Sequence, residues 1–538
     1  MTTNCSHLLA RLAAIIDAGS TLPYLRLRLD GNYRSFTRAD LANRMGIYVA
    51  AWRSAGVGKG DVVFIILRHG IDPMPAFLSA IWIGAIPSFL PPPSQRQDPV
   101  LYREAHAAVL ARTGAKTLLI EADLAGEFRR LIGDGMTTVL VPPPAGDAVP
   151  LPPPTVVDED DGALLQHSSG TTGLKKGVLL SHRIIMAQLD AYVPTLKLDA
   201  ASCVVTWLPL YHDMGLIACF LLPVLCGLPI IMLDPFEWVA KPRLMLEAIE
   251  RFRATHAWLP NFAFVHLTRG VPNGERFDLS SIRVLTGSSE VNRPETHDGF
   301  IRRFSVDGLH AAALQTSYAM AETVFAATQS TAGIPRRRIR VDVDGSRVVD
   351  GKTEVLSNGK PLPGVEIGVF HDGRICSEER VAGELCIASP FNFLGYFGTG
   401  IPAEGPHRTG DIGFLDAGEV FVLGRMKEVI IINGRNFYAH DIEAAVNGVA
   451  GIHPGRCVAL GVASERTGSE DLVVVGESAA ASPDLVRAVN HAVLARLGVP
   501  CSRVEIVAPG WLIKTSSGKI SREANLKKFL QMAEASPI

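Results

Sequence analysis

The chain has 538 residues, of which 47% are hydrophobic and 20% are charged, and its formal net charge at pH 7 is −2. A chain of this length exceeds what one hydrophobic core organises, so two or more domains are expected. The composition is typical of a globular enzyme and argues against a disordered chain or a protein that binds nucleic acid.

The first part of the chain alternates helical and β-branched patterns. Helical periodicity in "FTRADLANRMGIYVAAWRSAGV" is followed by short apolar runs such as "DVVFII", "TLLI" and "IIML". This alternation predicts α/β architecture with largely parallel sheets. Residues 141–163 are proline-rich and then acidic, which is typical of an extended surface connector.

The N-terminal residues lack the pattern of a secretory signal, so a cytoplasmic protein is expected.

Residues 215–233 contain no charged side chain and approach the length of a membrane span. Pro223, Gly227 and Pro229 divide them into a helix, a turn and the strand "PIIML", which is the pattern of a buried α/β core. We therefore predict a core segment and no stable membrane insertion.

The eight cysteines form no C-x-x-C pair and most lie in apolar runs, so they are expected to be buried thiols in a reducing compartment.

The stretch "LLQHSSGTTGLKKGVLLSH", residues 164–182, predicts a loop between two strands. Its glycines permit a tight turn that aims backbone N–H groups at one point, and its hydroxyls and lysines add donors and charge. Such a loop suits a polyphosphate, and a flexible polar hairpin is the alternative for a loop of this composition. The pattern G-x-x-x-x-G-K-[ST] cannot be laid over it, which disfavours a standard P-loop ATPase.

After Leu423 a new series of predicted strands and helices begins. Its order is strand "VIIIN", helix "AHDIEAAVNGV", strands "RCVALGV" and "DLVVVGE", a second helix and strand "RVEIVAP". This order predicts a separate α+β domain. The second helix has Ser482 as N-cap, Pro483 at its first position and Gly498 just past its end, and its apolar stripe is assigned to the core. The predicted domains are residues 1–424 and 425–538.

Six motifs then occur in order along the chain. They are "SSGTTGLKKG", "WLPLYHDMGL", "SYAMAET", "HRTGDIGFL", "GRMKEVIIINGRNFYAHDIE" and "KTSSGKISR". Together they resemble the adenylate-forming superfamily of acyl-CoA synthetases, nonribosomal adenylation domains and fatty acyl-AMP ligases, over nearly the whole chain. The resemblance implies an α/β fold with a large, layered, multi-sheet N-terminal domain that has a β-barrel-like part. A small, mobile α+β C-terminal domain would be hinged near Lys427.

The resemblance implies that a carboxylate attacks the α-phosphate of ATP to give acyl-AMP and pyrophosphate. A carboxylate is ionised at neutral pH, so cations and N–H donors rather than a general base should do the catalytic work. Lys519 matches the catalytic lysine that bridges the carboxylate and the α-phosphate, although a lysine in "SSGK" taken alone would be a solvated loop residue. Glu322 matches the glutamate that holds Mg²⁺ between phosphates, and His212 matches the histidine that gates the acyl pocket.

A nucleotide site is implied in the same way. Asp411 matches the aspartate that accepts hydrogen bonds from both ribose hydroxyls, Tyr318 the ring that stacks on adenine, and Arg425 an arginine near the ribose. For an acidic residue, a surface salt bridge is the alternative. The other implied nucleotide-binding residues are Ser168, Ser169, Gly170, Thr171, Thr172, Gly173, Lys176, Ser288, Ser289, Glu290, Ser317, Ala319, Met320 and Ala321.

The tyrosine-containing motif departs from the common pattern at two positions, and the second of them indicates a branch of the superfamily. Ala319 replaces a usual glycine, and Ala321 stands where most members carry a phosphate-contacting threonine. Together with "YHDMGL", "LPNFAF" and "NGRNFYAHDIE", Ala321 resembles the fatty acyl-AMP ligase branch. Lys175 and Ile513 replace prolines that are usual at those places, which should alter loop stiffness more than chemistry.

That branch usually carries an insertion that restrains the small domain. The corresponding residues 333–364 predict a β-hairpin that turns at Asp344-Gly345, and whether the insertion is complete stays open. Its basic cluster would form a solvated edge or meet an acidic carrier protein. The cluster consists of Arg336, Arg337 and Arg338.

The acyl pocket is implied around "WLPNFAFVHL" and the apolar region after His212, whose aromatic and aliphatic groups favour an apolar acyl chain. Asp213 leaves an amino acid as an alternative substrate, because in amino-acid-activating relatives an aspartate at this place pairs with the substrate amine. The candidate acyl-binding residues are Asp213, Met214, Gly215, Asn261 and Phe262.

The predicted function is ATP- and Mg²⁺-dependent activation of a medium- or long-chain fatty acid to acyl-AMP. The acyl group would then pass to the phosphopantetheine thiol of an acyl carrier protein, as in polyketide or lipopeptide biosynthesis. The alternatives are transfer to CoA, activation of an amino acid, and ATP binding without turnover. Neither G-x-S-x-G nor H-E-x-x-H occurs, so a serine hydrolase or a zincin is unsupported.

Overall fold

The structure is a computed structural model that combines α-helices with several β-sheets. It describes residues 7–19, 21–93, 99–132, 138–144, 146, 148–167, 176–399, 404–432, 435–464, 469–515 and 519–535. Within these ranges, six sheets are formed by residues up to 425 and two by residues after it. The predicted multi-sheet α/β fold is confirmed.

The largest sheet, here called the central sheet, has seven strands. Their order is Leu314–Thr316, Val284–Gly287, His256–Leu259, Val204–Thr206, Ile230–Met232, Leu25–Leu29 and Asn32–Phe36. All neighbouring pairs are parallel except the last, which is antiparallel. The carboxyl ends of parallel strands share one edge of a sheet, so the residues that follow these strands come together there.

Two smaller sheets contain the strands between residues 62 and 181. One is a parallel sheet in the order Ile86–Phe89, Val62–Ile66, Thr117–Ile120 and Thr138–Leu140. The other is antiparallel, in the order Gly395–Tyr396, Gly177–Ser181 and Gly162–His167. The last two of these strands are the ones predicted before and after the phosphate loop, whose residues 168–175 lie outside the described residues.

The helices before residue 425 connect and cover these sheets. They are Leu8–Asp17, Arg38–Ser54, Pro73–Trp82, Pro99–Thr113, Ala122–Ile132, His182–Tyr192, the π-helix Met214–Leu221, Leu222–Leu225, Pro235–Ala240, Arg243–Phe252, Asn261–Gly270 and Pro294–Phe304. Local sequence explains where Arg38–Ser54 begins, because Thr37 and Asp40 form a capping box. The buried face of that helix includes Tyr48 and Trp52.

Residues 328–425 form the antiparallel part. Its five-stranded sheet has the order Arg374–Cys376, Glu366–His371, Gly383–Ala388, His407–Asp416 and Glu419–Arg425. The smaller sheets are Arg347–Asp350, Arg338–Asp344 and Thr353–Leu356, and the pair Thr328–Gln329 with Lys360–Pro361. The predicted hairpin is confirmed, because Asp344 pairs with Arg347 and Gly345 has a φ of +61° at the turn.

The predicted solvated edge is wrong for Arg336 and Arg337, which are partly buried, whereas Arg338 is exposed as predicted. Arg336 donates to the Leu314 carbonyl (2.6 Å), Arg337 to Asp416, and Arg338 to Asp298 (2.7 Å). These interactions occupy each guanidinium within the chain. The structure therefore gives no support to this cluster as a docking surface for an acidic carrier protein.

The residues after 425 have cores of their own. The sheets are Val429–Ile432 with Arg435–Tyr438, and Cys457–Ser464, Ser469–Glu477 and Arg503–Val507; the helices are Ala439–Asn447, Pro483–Leu497 and Arg522–Ala535. The predicted helix is confirmed, since Ser482 Oγ accepts from the Leu485 N–H and Gly498 is left-handed with φ +68°.

Residues 215–233 form a buried helix, a turn at Gly227 and the strand Ile230–Met232, as predicted. Within the described ranges, no helix has the length and apolar character needed to cross a membrane. Seven of the eight cysteines are described; all are free, and Cys203, Cys219, Cys386 and Cys457 are buried. Cys5 lies outside the described residues.

Candidate active site

Two predicted segments follow adjacent strands of the central sheet. Ser288 follows the strand that ends at Gly287, and Ser317 follows the strand that ends at Thr316. The Ser317 N–H donates to the Gly287 carbonyl (3.0 Å), and Ser317 Oγ donates to Ser288 Oγ (2.9 Å). Parallel pairing thus brings "TGSSE" and "SYAMAET" side by side at the carboxyl edge of the sheet.

Asp411 lies against the second of these segments. Its Oδ2 accepts a hydrogen bond from Tyr318 Oη (2.6 Å), and its Oδ1 is 3.0 Å from Arg425 Nε. Burial raises the pKa of Asp411, while Arg425 and the Tyr318 hydroxyl lower it. Burial also raises the pKa of Tyr318, and the charge of Asp411 adds to that rise. The result is a buried carboxylate fixed by two donors.

Glu322 is held by a residue that the sequence did not single out. Glu322 lies in the short 3₁₀ turn Ala321–Thr323, just after Ala319 and Met320. Its Oε1 accepts from Tyr396 Oη (2.9 Å). Burial raises the pKa of Tyr396, and the Glu322 charge adds to the rise. The carboxylate offers the hard oxygen donor that Mg²⁺ prefers.

Lys176 joins this group from the phosphate loop. Its Nζ lies 4.6 Å from the centroid of the Tyr396 ring, a cation–π contact. Tyr396 pairs with Val178, just after the loop, which explains the proximity. The other predicted loop residues, Ser168, Ser169, Gly170, Thr171, Thr172, Gly173 and Lys175, lie outside the described residues.

Lys519 reaches the same edge from the C-terminal part of the chain. Its Nζ donates to the Ser289 carbonyl across 2.8 Å. Ser289 has a φ of +65°, an uncommon conformation for a residue with a side chain. The Lys519 carbonyl accepts a hydrogen bond from the Thr515 N–H (2.7 Å), which fixes the backbone of Lys519.

Asp213 lies within electrostatic reach of Lys519. It is half-buried, and its Oδ1 accepts from the Met214 N–H (2.8 Å) where the π-helix begins. Desolvation raises the pKa of Asp213, Lys519 lowers it, and Glu322 raises it. The neighbouring His212 accepts from the Leu216 N–H through its carbonyl (2.7 Å). Asp213, Lys519 and Glu322 therefore lie close enough to influence one another, and His212, the predicted gate, is adjacent to Asp213.

Gly215 permits a close approach at this point. A Cβ atom on Gly215 would lie 2.2 Å from the carbonyl oxygen of Pro209. Only glycine therefore lets the start of the π-helix pack against the loop that carries His212. This is a packing role, distinct from the acyl-binding role that the resemblance implies.

An aromatic cluster lies beside the predicted acyl segment. Trp207 and Trp238 stack with ring centroids 3.8 Å apart, and Phe262 packs edge-on against both. Glu290 Oε2 accepts a hydrogen bond from the Phe262 N–H (3.0 Å). This bond links a predicted nucleotide-binding residue to the aromatic cluster. Asn261 Oδ1 accepts from the Arg293 N–H (3.3 Å), so Asn261 supports the backbone here.

Lys427 lies in the 3₁₀ turn Met426–Glu428, between the last strand of the five-stranded sheet and Val429–Ile432. The adjacent Glu428 is 2.7 Å from Arg522, which also pairs with Glu443 at 2.7 Å. An ion-pair network therefore links the predicted hinge to the segment that carries Lys519. Tyr396 and Arg522 were both missed, since neither contact has a local sequence signal.

Comparison with known proteins places the chain in a family. Residues 17–397 match the family of AMP-binding enzymes. The chain belongs to this family. The predicted adenylate-forming ligase fold and activity are thereby confirmed.

The similar proteins within the family include fatty-acid ligases. A medium-chain-fatty-acid–[acyl-carrier-protein] ligase, JamA of Moorena producens, is 28% identical over 530 residues, which covers 88% of this chain and 86% of JamA. The probable long-chain-fatty-acid–AMP ligase FadD30 of Mycobacterium tuberculosis is 28% identical over 515 residues, which covers 86% of each chain. A solved structure from work on the fatty acyl-adenylate ligases of E. coli and L. pneumophila has a TM-score of 0.87 and 26% identity, and covers 99% of this chain and 98% of that one.

Proposed function

We propose that this enzyme activates a medium- or long-chain fatty acid with ATP, releasing pyrophosphate, and transfers the acyl group to the phosphopantetheine thiol of an acyl carrier protein. The names of JamA and of the fatty acyl-adenylate ligases support this choice. The apolar surroundings of the predicted acyl segment support an acyl chain over a polar substrate.

The observation that carries the proposal is the position of Lys519. Its ammonium group lies against Ser289, within electrostatic reach of Asp213, at the same sheet edge as the Tyr318–Asp411 pair. A cation at this place can bind the carboxylate and the α-phosphate together and offset the charge that develops at phosphorus. A carboxylate oxygen would then attack the α-phosphorus, and the bond to the pyrophosphate oxygen would break.

The remaining groups would bind ATP. Asp411 offers acceptors for the two ribose hydroxyls, with Tyr318 and Arg425 fixing its orientation. Lys176 and the loop residues 168–173 would contact the phosphates, and Ser288, Ser289, Glu290 and Ser317 would form the adenine wall. Because Ala319, Met320 and Ala321 lead directly into Glu322, they would line the phosphate side.

Glu322 would hold Mg²⁺ beside the phosphates. Within the described residues, no group of three or more His, Cys, Asp or Glu side chains is arranged to hold a metal ion. A single carboxylate fits this metal, because Mg²⁺ is often bound by one or two carboxylates together with substrate phosphates and water. When bound, the ion would offset phosphate charge. Glu322 itself is oriented by the Tyr396 hydroxyl.

We also propose that residues 1–424 and 425–538 are separate domains that move about Lys427. The separate cores after residue 425 and the short turn at Lys427 support that boundary. Rotation there would withdraw Lys519 and admit the acceptor thiol. The free, buried cysteines support a reducing, cytoplasmic location.

The test is product analysis with ATP, Mg²⁺ and a panel of fatty acids and amino acids. Each reaction contains either CoA or a holo acyl carrier protein as the acceptor. We expect acyl-AMP from fatty acids to persist with CoA and to be consumed with the carrier protein. Efficient acyl-CoA formation, or activation of amino acids alone, would contradict the proposal.

A further inference from the structure

Two neighbouring groups on one segment contact the C-terminal part of the chain. Lys519 Nζ donates to the Ser289 carbonyl (2.8 Å). Just beyond Ser289, Arg293 Nη2 donates to the His440 carbonyl (2.6 Å), and Arg293 Nη1 is 3.4 Å from Asp441 Oδ1. The proposed chemistry makes no use of Arg293, so this second contact needs its own explanation.

The segment that carries Ser289 and Arg293 is fixed to the central sheet. The Ser288 N–H donates to the Leu259 carbonyl (3.1 Å), and Asn292 Nδ2 donates to the Gly287 carbonyl (3.2 Å). A Cβ on Gly287 would lie 2.2 Å from Asn292 Oδ1, so the Asn292 side chain packs directly against the Gly287 backbone. Ser289 and Arg293 therefore form a rigid platform.

The opposing partners are also joined to each other. His440 and Asp441 lie in the first turn of helix Ala439–Asn447, and Glu443 lies further along the same helix. Glu443 pairs with Arg522 (2.7 Å), which follows Lys519 by three residues. A hold on the first turn of this helix therefore restrains the segment that carries Lys519.

We propose that Arg293 is a positioning residue for adenylation. It grips the first turn of helix Ala439–Asn447 and so holds the ammonium group of Lys519 at the reacting groups. This inference rests on the proposed function, and it adds a residue outside the nucleotide and acyl sites.

The contact is suited to repeated release. The N-terminus of a helix carries partial positive charge, which repels a guanidinium group, and the Asp441 carboxylate offsets that repulsion. The His440 ring adds no cation at neutral pH, because burial lowers its pKa to about 4. The grip therefore depends on Asp441 and on one carbonyl, and movement about Lys427 can break both together.

The first experiment measures the single-turnover rate of acyl-AMP formation in the full-length enzyme. Arg293→Ala should lower this rate roughly 10-fold or more, a range typical of coupling between sites, and Arg293→Lys should restore part of it. The matched control is Arg496→Ala. The Arg496 pair with Glu295 joins the same two parts of the chain at 3.4 Å but is exposed, so its loss should change the rate less than about 2-fold.

The second experiment repeats Arg293→Ala in a Lys519→Ala background. A residue that acts through Lys519 should cost nothing further once the lysine is gone. A double-mutant cycle of Arg293→Ala with Asp441→Ala should likewise be non-additive. Additive losses in either cycle, or an unchanged rate in Arg293→Ala, would overturn the proposal.

Failure of the proposed function would look different. In that case the wild-type enzyme would form no acyl-AMP from any fatty acid in the panel. Thermal melting of each variant separates positioning from unfolding. Because Asp441 is one-third exposed, Arg293→Ala should lower the melting temperature by only about a few degrees, and a drop that unfolds the enzyme at the assay temperature would assign Arg293 a structural role instead.

Discussion

Tyr318 donates a hydrogen bond to Asp411 across 2.6 Å, although the two residues are 93 positions apart in the sequence. Tyr318 follows the central parallel sheet, and Asp411 lies in a strand of the antiparallel five-stranded sheet. The bond therefore joins two sheets at the proposed ribose site. It also fixes one oxygen of a carboxylate whose other oxygen faces Arg425.

Removing this bond should weaken ATP binding more than it slows the reaction. Tyr318→Phe keeps the ring and removes one hydrogen bond to a charged group, worth about 1.5 to 3 kcal/mol, so KM for ATP should rise about 10-fold or more. Asp411→Asn removes the charge itself and should raise KM further. The measurement is ATP-dependent pyrophosphate exchange. A Tyr318→Phe enzyme with wild-type KM would show that the hydroxyl does not orient Asp411.

The contact between Gly215 and the Pro209 carbonyl makes a second prediction. Gly215→Ala would place a Cβ 2.2 Å from that oxygen, so the π-helix or the loop with His212 must shift. We expect a loss of stability of about 1 to 3 kcal/mol and weaker fatty-acid binding. Chemical denaturation and KM for the fatty acid measure these effects.

Gly299→Ala provides the matched control for Gly215→Ala. Gly299 lies in helix Pro294–Phe304, and a Cβ there would meet nothing within 4 Å. The same substitution should stabilise the protein by up to about 1 kcal/mol, because alanine favours the helix. Equal effects of the two substitutions would contradict the steric argument.

A buried histidine predicts how stability depends on pH. Burial lowers the pKa of His297 to about 3, whereas an unfolded histidine titrates near 6.5. Below pH 6.5 the unfolded state binds a proton that the folded state does not bind. His297 should therefore lower the free energy of unfolding by up to about 1.4 kcal/mol per pH unit as the pH falls toward 3.

His297→Leu should reduce the loss of unfolding free energy at acidic pH. In urea unfolding from pH 7 to pH 4.5, the free energy of unfolding should fall less steeply for the variant than for the wild type. His310 is exposed and provides the control substitution, His310→Gln, whose curve should follow that of the wild type. Parallel curves for His297→Leu and the wild type would show that His297 makes no contribution to acid unfolding.

Local patterns predicted much of the fold. Helix Pro483–Leu497 and the turn at Gly345 follow from capping residues and glycine, because those signals act within a few residues. The site motifs predicted roles for Lys519 and Asp411, and the structure places both against residues that follow strands of the central sheet, Ser289 and Tyr318. Their roles stay predictions.

Contacts between distant segments could not be predicted in this way. The partner of Glu322 is Tyr396, 74 positions away. The two segments also meet through the Phe393 N–H, which donates to the Glu322 carbonyl (2.9 Å), and no local pattern predicts that contact. The arginines near the hairpin were misjudged for the same reason. Their partners Asp298 and Asp416 lie 40 and 79 positions away from Arg338 and Arg337. The sequence therefore could not show that this basic run is paired within the chain, even though Arg338 remains exposed.

The final prediction concerns the ion-pair network at the hinge. Arg522 pairs at 2.7 Å with Glu428 and with Glu443, and each of the three side chains is about one-fifth exposed. Arg522→Met would leave two carboxylates largely buried without their cation. Breaking a buried pair in this way costs about 3 to 5 kcal/mol, so the part of the chain after residue 425 should unfold first.

Hydrogen exchange can locate that loss. Arg522→Met should increase exchange in helix Ala439–Asn447, while the central sheet keeps the protection of the wild type. The control is Arg487→Met, because Arg487 pairs with Asp484 at an exposed site where an ion pair contributes little. If Arg522→Met exchanged like Arg487→Met, the network would contribute no stability, and the restraint that links Lys519 to helix Ala439–Asn447 would have to come from packing.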